Sequence, residues 1–237
     1  MHEENKDKDK NPMLEKSNQR ALASIVLLRK RVAPQYNSKI VELGCGEGSI
    51  LLTIARALGA KEVYGVDINE EALKKAQAKG IKVAKVDLNK EPLPFPSEFF
   101  DIVLMQEVIE HLTNPDNAIE EAYRTLKPKG YFLISTPNLA WWVNRLALLF
   151  GYQPYWTECS TKFNVGKFRR NVAQPLSGHL RAYTLKALQE LVSLHGFKIV
   201  DAKGLTYDNL PFIFRKIDQL LSKKPSLSQI ILLLAHK

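Results

Sequence analysis

Short apolar runs alternate along this chain with longer stretches whose apolar residues recur at helical spacing. The short runs cover residues 39–43, 62–66, 82–86, 99–105 and a segment after 126 that ends near Ser135. Two more, 197–202 and 227–234, follow later. Between them lie helical patterns at 49–56, 70–79 and 116–126, with Pro128 and Gly130 beyond the last. Residues 184–195, with Thr184 as N-cap and Gly196 as stop, and residues 212–221 predict two further helices. An amphipathic helix over 14–32 precedes the first strand. This alternation predicts an α/β protein, a doubly wound parallel sheet with helices on both faces. Residues 1–13 are polar and mixed in charge and read as a disordered tail, and 14–237 read as one domain.

One turn in this pattern carries more than structure. The first strand runs into Gly44-x-Gly46-x-Gly48, and a helix follows at once. Strand, glycine turn and helix bring backbone N–H groups and a helix N-terminus up to a ligand. The spacing departs by one residue from the dinucleotide fingerprint G-x-G-x-x-G. The second strand ends at Asp67, 19 positions beyond Gly48. An acid there can accept hydrogen bonds from both hydroxyls of a ribose. The competing reading is that Asp67 or Asn69 only caps the helix over 70–79.

The run Val41-Glu42-Leu43-Gly44-Cys45-Gly46-Glu47-Gly48 and then Val63-Tyr64-Gly65-Val66-Asp67-Ile68 resemble the first two motifs of class I S-adenosylmethionine-dependent methyltransferases. Val86-Asp87-Leu88, the strand 99–105, the turn Gln106-Glu107-Val108-Ile109-Glu110-His111-Leu112 and the segment 126–134 match in order. The turn and Thr136-Pro137-Asn138 are similar to the quinone-biosynthesis O-methyltransferase-like subgroup. The resemblance covers residues 38–137. It implies a Rossmann-like, seven-stranded, mostly parallel sheet with an antiparallel last strand. It implies S-adenosylmethionine as cofactor and S-adenosylhomocysteine as product. By the same resemblance Gly44, Gly46 and Gly48 approach the methionine portion and ribose, and Glu42 orients that region. Asp67 takes the ribose hydroxyls and Ile68 packs on adenine. Asp87 accepts from the adenine amine beside Leu88, and the backbone carbonyl or side chain of Gln106 faces the amino acid end.

Residues 139–180 form an insertion after the fifth strand, placed like the lid over an acceptor site in related enzymes. It holds Trp141, Trp142, Tyr155, Trp156 and Phe163. Two adjacent residues on a helix cannot face one direction, so one tryptophan is expected to pack inward and the other to line a pocket or meet a partner. His179 stands at the exit of the insertion. His111 follows the fourth strand, where Glu107 would stand one helical turn before it. These two histidines are the candidate general bases, although hydrogen-bonded structural duty is the competing reading for each.

Composition narrows the class. Of 237 residues 45% are hydrophobic, ordinary for a chain with a real core. The only cysteines, Cys45 and Cys159, are far apart and lack metal spacing, so a reducing compartment is expected and a zinc site is not. The N-terminal residues lack the apolar stretch of a secretory signal, and no run reaches the length of a membrane span, so a cytoplasmic location is expected. Residues 138–237 hold 14 basic and 5 acidic side chains, against 12 and 15 over 38–137, within a net charge of +9. Such a basic half suits nucleic acid, anionic lipid or a phosphorylated substrate, or simply a solvated surface. The reading that follows is a methyltransferase acting on a small-molecule, lipid-linked or glycan-linked acceptor, at oxygen. The alternatives are an RNA or protein methyltransferase, a non-catalytic cofactor-binding module, or an oxidoreductase, the last disfavoured by the glycine spacing.

Overall fold

β-branched and leucine-rich runs that are apolar at every position, not at every second one, need burial on both faces. The computed structural model, which describes residues 12–31, 38–168, 176–207 and 210–237, buries the runs 39–43, 100–106 and 230–236 in this way and leaves 82–85 and 198–205 partly open. Seven strands form one sheet: β1 (Lys39–Leu43), β2 (Glu62–Asp67), β3 (Lys82–Lys85), β4 (Phe100–Gln106), β5 (Leu126–Pro137), β6 (Lys198–Leu205) and β7 (Ile230–His236). Their spatial order is β3-β2-β1-β4-β5-β7-β6. The first five strands are parallel, and β7 runs antiparallel to both β5 and β6. The expected sheet, with its antiparallel last strand, is the one observed. Along β4, Ile102 and Leu104 enter the core on one face while Val103 and Met105 enter the core on the other.

The helices are α1 (Pro12–Arg29), α2 (Ser49–Leu58), α3 (Glu70–Ala78), α4 (Pro115–Thr125), α5 (Trp142–Leu149), α6 (Leu185–Leu194) and α7 (Phe212–Leu221). Side-chain oxygens cap three of them: Asn69 accepts from Ala72 N–H, Asn114 from Asn117 N–H, and Thr184 from Ala187 N–H. The first eleven residues, most of the expected tail, lie outside the described residues. α4 gives way to β5 directly at Leu126, ahead of Pro128 and Gly130, so those residues do not stop the helix.

The two tryptophans of the insertion correct an expectation. Trp141 is not helical; its extended backbone makes it the residue before α5. The two indoles therefore escape the helical divergence and converge. Both Nε1 groups donate to Asp218 Oδ1, at 2.8 and 2.7 Å. Asp218 lies on α7 and is buried. The carboxylate thus pins the start of the insertion to the helix between β6 and β7. Asp218→Ala leaves two indole N–H groups without this acceptor. A loss of about 2–4 kcal/mol is expected, on the scale of hydrogen bonds to charged groups. Urea denaturation checks it; a change under about 0.5 kcal/mol would show that the pair does not hold the insertion.

Candidate functional site at the carboxyl ends of β1, β2 and β4

The strand order reverses between β2-β1 and β1-β4, and ligands of open α/β sheets bind outside the carboxyl ends at that point. The chain leaves β1 there through three left-handed glycines, with φ of 73° at Gly44, 51° at Gly46 and 74° at Gly48. A Cβ on Gly44 would stand 2.4 Å from Val108 Cγ2, and one on Gly48 would stand 2.1 Å from Ile81 Cδ1. A Cβ on Gly46 would meet nothing within 4 Å. Two glycines are therefore required by packing, whereas Gly46 faces open space. Cys45, between them, is buried, and burial first, then the nearby Glu42 and Asp67, push its thiol up to about 12. It is a packing residue.

Asp67 closes the loop. Its Oδ2 accepts from Gly46 N–H at 2.7 Å and its Oδ1 from Asn69 N–H at 2.9 Å. Asn69 is the residue that caps α3, so the capping reading holds for Asn69 and leaves the Asp67 carboxylate to the loop. Ile68 beside it is 61% exposed, a large apolar side chain left in the open. Asp87 is half-buried, and Asn89 holds its carboxyl below the ordinary range through backbone and side-chain hydrogen bonds. Leu88 packs into the core, and its carbonyl accepts from Asn117 Nδ2.

Gln106 is the last residue of β4. Its side chain turns inward and is buried. Its Nε2 donates to Glu42 Oε1 at 3.1 Å, and its Oε1 accepts from Ser24 Oγ on α1 at 3.1 Å. Gln106 is thus part of the floor under the loop. Burial, the largest cause, raises the Glu42 carboxyl to about 7; Arg20 and Gln106 oppose the shift. Arg20 was not legible as a site residue. It comes from α1, its Nη1 lies 3.8 Å from Glu107 Oε2, and its buried Nε has no hydrogen-bond partner among the described residues. Glu107 has a positive φ of 56°, and Ser135 Oγ on β5 donates to its Oε1 at 3.0 Å.

This corrects the Glu107–His111 pair. Only Ile109–His111 is helical after β4, as a 3₁₀ turn, and Glu107 points away to Arg20 and Ser135. His111 meets His179 instead, with ring centroids 4.8 Å apart and edge to face. His111 Nδ1 lies 3.1 Å from Gly178 O, and His179 Nδ1 lies 3.2 Å from Trp156 O. Glu110 is buried beside them; desolvation first, then Glu107, raises its carboxyl to about 8. Trp156 packs on Trp141 and Tyr155. Glu158 accepts from Ser177 Oγ and Gly178 N–H, tying the two sides of the insertion. A crevice of about 10 Å³ remains between Leu139, Tyr155, Trp156, His179 and Arg181. A larger groove of about 540 Å³, between α1, β6 and α7, contains none of the candidate residues.

Fold, glycine loop and acidic β2 terminus together define a class I, S-adenosylmethionine-dependent methyltransferase domain. The model of the family described as "Methyltransferase domain" matches residues 14–202, and the chain belongs to that family. A Mycolicibacterium smegmatis protein named "Probable S-adenosylmethionine-dependent methyltransferase" is 37% identical over 42% of this chain and 38% of its own length. This chain therefore matches well under half of that relative. The "Ubiquinone/menaquinone biosynthesis C-methyltransferase UbiE" of Burkholderia multivorans is 25% identical over 82% of both chains. An S-adenosylmethionine-dependent methyltransferase structure from Mesorhizobium loti superposes with TM-score 0.59 at 19% identity, over 90% of this chain and 96% of that one. One from Aquifex aeolicus gives 0.56 at 15% identity, over 96% and 99%. Both share the fold.

The glycines make a discriminating pair. Gly44→Ala is expected to cost about 1–3 kcal/mol of stability, because it adds a clash to an unfavourable φ. Gly46→Ala meets only the φ penalty of about 1 kcal/mol. Its added methyl points where a ligand would lie, so S-adenosylhomocysteine binding should weaken at least about tenfold, about 1.4 kcal/mol. Thermal melts and calorimetry on both variants check this; undiminished binding to the Gly46 variant would remove the loop from the cofactor site.

Proposed function

We propose that this chain transfers the methyl group of S-adenosylmethionine to oxygen of a small apolar, ring-bearing, lipid-linked or glycan-linked acceptor. The acceptor meets the sulfonium at the mouth between the turn after β4 and the aromatic cover. The observation that carries this reading is the pairing of His111 with His179 under Trp156 beside the strand ends. A neutral thioether leaves, so the protein's task is to position the acceptor, exclude water and deal with the acceptor's proton. The imidazole pair is where that proton is dealt with.

On this reading Asp67 binds the ribose. Each carboxylate oxygen already accepts one backbone N–H and keeps a lone pair for a hydroxyl. Ile68 covers adenine, and Asp87 accepts from its amine next to Leu88. Gly44, Gly46 and Gly48 let the backbone approach the methionine portion. Glu42 lies under that end, held by Gln106, and a bound sulfonium or ammonium would favour its ionised form. Arg20 is placed to meet the methionine carboxylate, which would supply the partner its Nε lacks.

On this reading the insertion 139–180, of which 169–175 lie outside the described residues, serves as a lid over the acceptor. Aromatic rings in that lid suit a ring or lipid better than a sugar or a nucleic acid backbone. The relative named as a quinone C-methyltransferase favours a second reading, transfer to a ring carbon of a quinol-like acceptor.

Tritiated S-adenosylmethionine, incubated with protein-free lipid and small-molecule extract or with protein and RNA fractions, tests the acceptor class. Label is expected in the organic-soluble product. Label confined to acid-precipitable protein or RNA would contradict the proposal. His179→Ala should slow methyl transfer by about 10²–10⁴ while cofactor affinity stays within about threefold.

A further inference from the structure

The groove of about 540 Å³ between α1, β6 and α7 shares no candidate residue with the strand-end site. Its size falls in the range of about 300–1,000 Å³ that holds small ligands. α1 supplies Leu22 and Val26, one helical turn apart on one face, and they are 62% and 43% exposed. The other side of α1, with Ser24 and Leu28, is buried. Leu205 of β6 lines the same space. Large apolar side chains gathered around a groove mark a place where an apolar body is received. Residues 2–11, which precede α1, contain no apolar side chain that could fill it.

The polar part of the groove is as selective as the apolar part. The end of α7 closes on β6, where a Cβ on Gly204 would stand 2.2 Å from Ser222 O. Ser222 lines the groove and is 5% exposed, and its Oγ is buried without a hydrogen-bond partner among the described residues. A buried hydroxyl left unpaired is costly until something accepts its proton. Lys203 and Lys223 line the groove as well, and neither ammonium is in an ion pair among the described residues. No acid lines it among the described residues. Asp218, the one acid of α7, is turned to the two indoles.

We propose that this groove binds a single-chain amphiphile with an anionic head, a carboxylate or a phosphate. The chain lies on Leu22, Val26 and Leu205. The head pairs with Lys203 and Lys223, whose carbon stems extend the apolar wall. It also accepts a hydrogen bond from Ser222 Oγ, a charge-assisted bond of the stronger kind. A hydroxyl on a single χ1 bond needs only a change of rotamer to face the groove. Two lysines without an acid disfavour a cationic ligand, and a nucleic acid would leave the apolar wall unused. Binding here involves none of the groups assigned to methyl transfer, so it stands or falls apart from that reading.

Calorimetry on the full chain tests it, with dodecanoate and dodecyl phosphate as probes, each below its micelle concentration. One molecule per chain is expected, and uncharged dodecanol should bind at least tenfold more weakly. Ser222→Ala, the double change Lys203→Glu with Lys223→Glu, and Leu22→Asp should each weaken both probes at least tenfold. S-adenosylhomocysteine affinity should stay unchanged in all of them, which shows that they fold. Absence of binding by the wild-type chain overturns the inference, whether the face is then covered by phosphatidylglycerol vesicles or by a second copy of the chain, both of which sedimentation would show. Dodecanol bound as tightly as dodecanoate overturns the anionic head. Affinity that the groove substitutions leave intact overturns the site itself.

Discussion

The hydrogen bond from Gly46 N–H to Asp67 Oδ2, at 2.7 Å, is the contact on which the site depends. It holds the turn leaving β1 against the end of β2, where Gly44 and Cys45 N–H also donate to Val66 O. The turn can lie there only because three residues accept positive φ and because Gly65 has no side chain. A Cβ at position 65 would stand 2.6 Å from Cys45 Sγ. The clamp sets the start of α2, which no side chain among the described residues caps, directly after the loop. It also presents a carboxylate with spare acceptor capacity beside it. Everything assigned to the cofactor is arranged around this one junction.

Below the junction runs a buried polar seam. Ser24, Gln106 and Glu42 form one chain of hydrogen bonds, and beside it Glu107 accepts a hydrogen bond from Ser135 and lies 3.8 Å from the Arg20 guanidinium. Glu110 and Thr136 form a further hydrogen bond. Three carboxyls in an apolar sheet are expensive, and burial raises all three above the ordinary range. A simple core would replace them with apolar residues at little cost or with a gain. On the proposed reading a bound sulfonium and ammonium would bring positive charge to Glu42. Arg20 Nε and Glu110 Oε1, at the edge of this seam, are two of the buried polar atoms without a hydrogen-bond partner among the described residues.

The sheet and the loop were legible because each rests on local chemistry. Continuous apolar runs mean strands buried on both faces, and three glycines in five residues mean a turn that only glycine makes. Asp67 was legible through its distance from the loop. Helical divergence does not govern the Trp141–Trp142 pair, because Trp141 stands one residue before the helix begins. Gln106 was placed by its strand end, yet its side chain follows the pull of Glu42 and Ser24 into the floor. Arg20 could not be found, since nothing in an amphipathic helix tells which residue will reach a strand that the chain has not yet made. Glu107 and His111 were paired on helical spacing, but the positive φ at Glu107 turns the two apart. The partner of His111 lies across a long insertion, a contact that only tertiary folding creates.

The central claim is that this junction binds an adenosyl sulfonium and not a dinucleotide. Titration calorimetry with S-adenosylhomocysteine and with NAD, on the wild-type chain and on Asp67→Ala, tests it most directly. Micromolar S-adenosylhomocysteine binding is expected, with no binding of NAD. Loss of the Asp67 carboxylate should weaken it by about 1.5–3 kcal/mol, the scale of hydrogen bonds to a charged group. Tighter binding of NAD, or wild-type affinity in the Asp67 variant, would contradict the account.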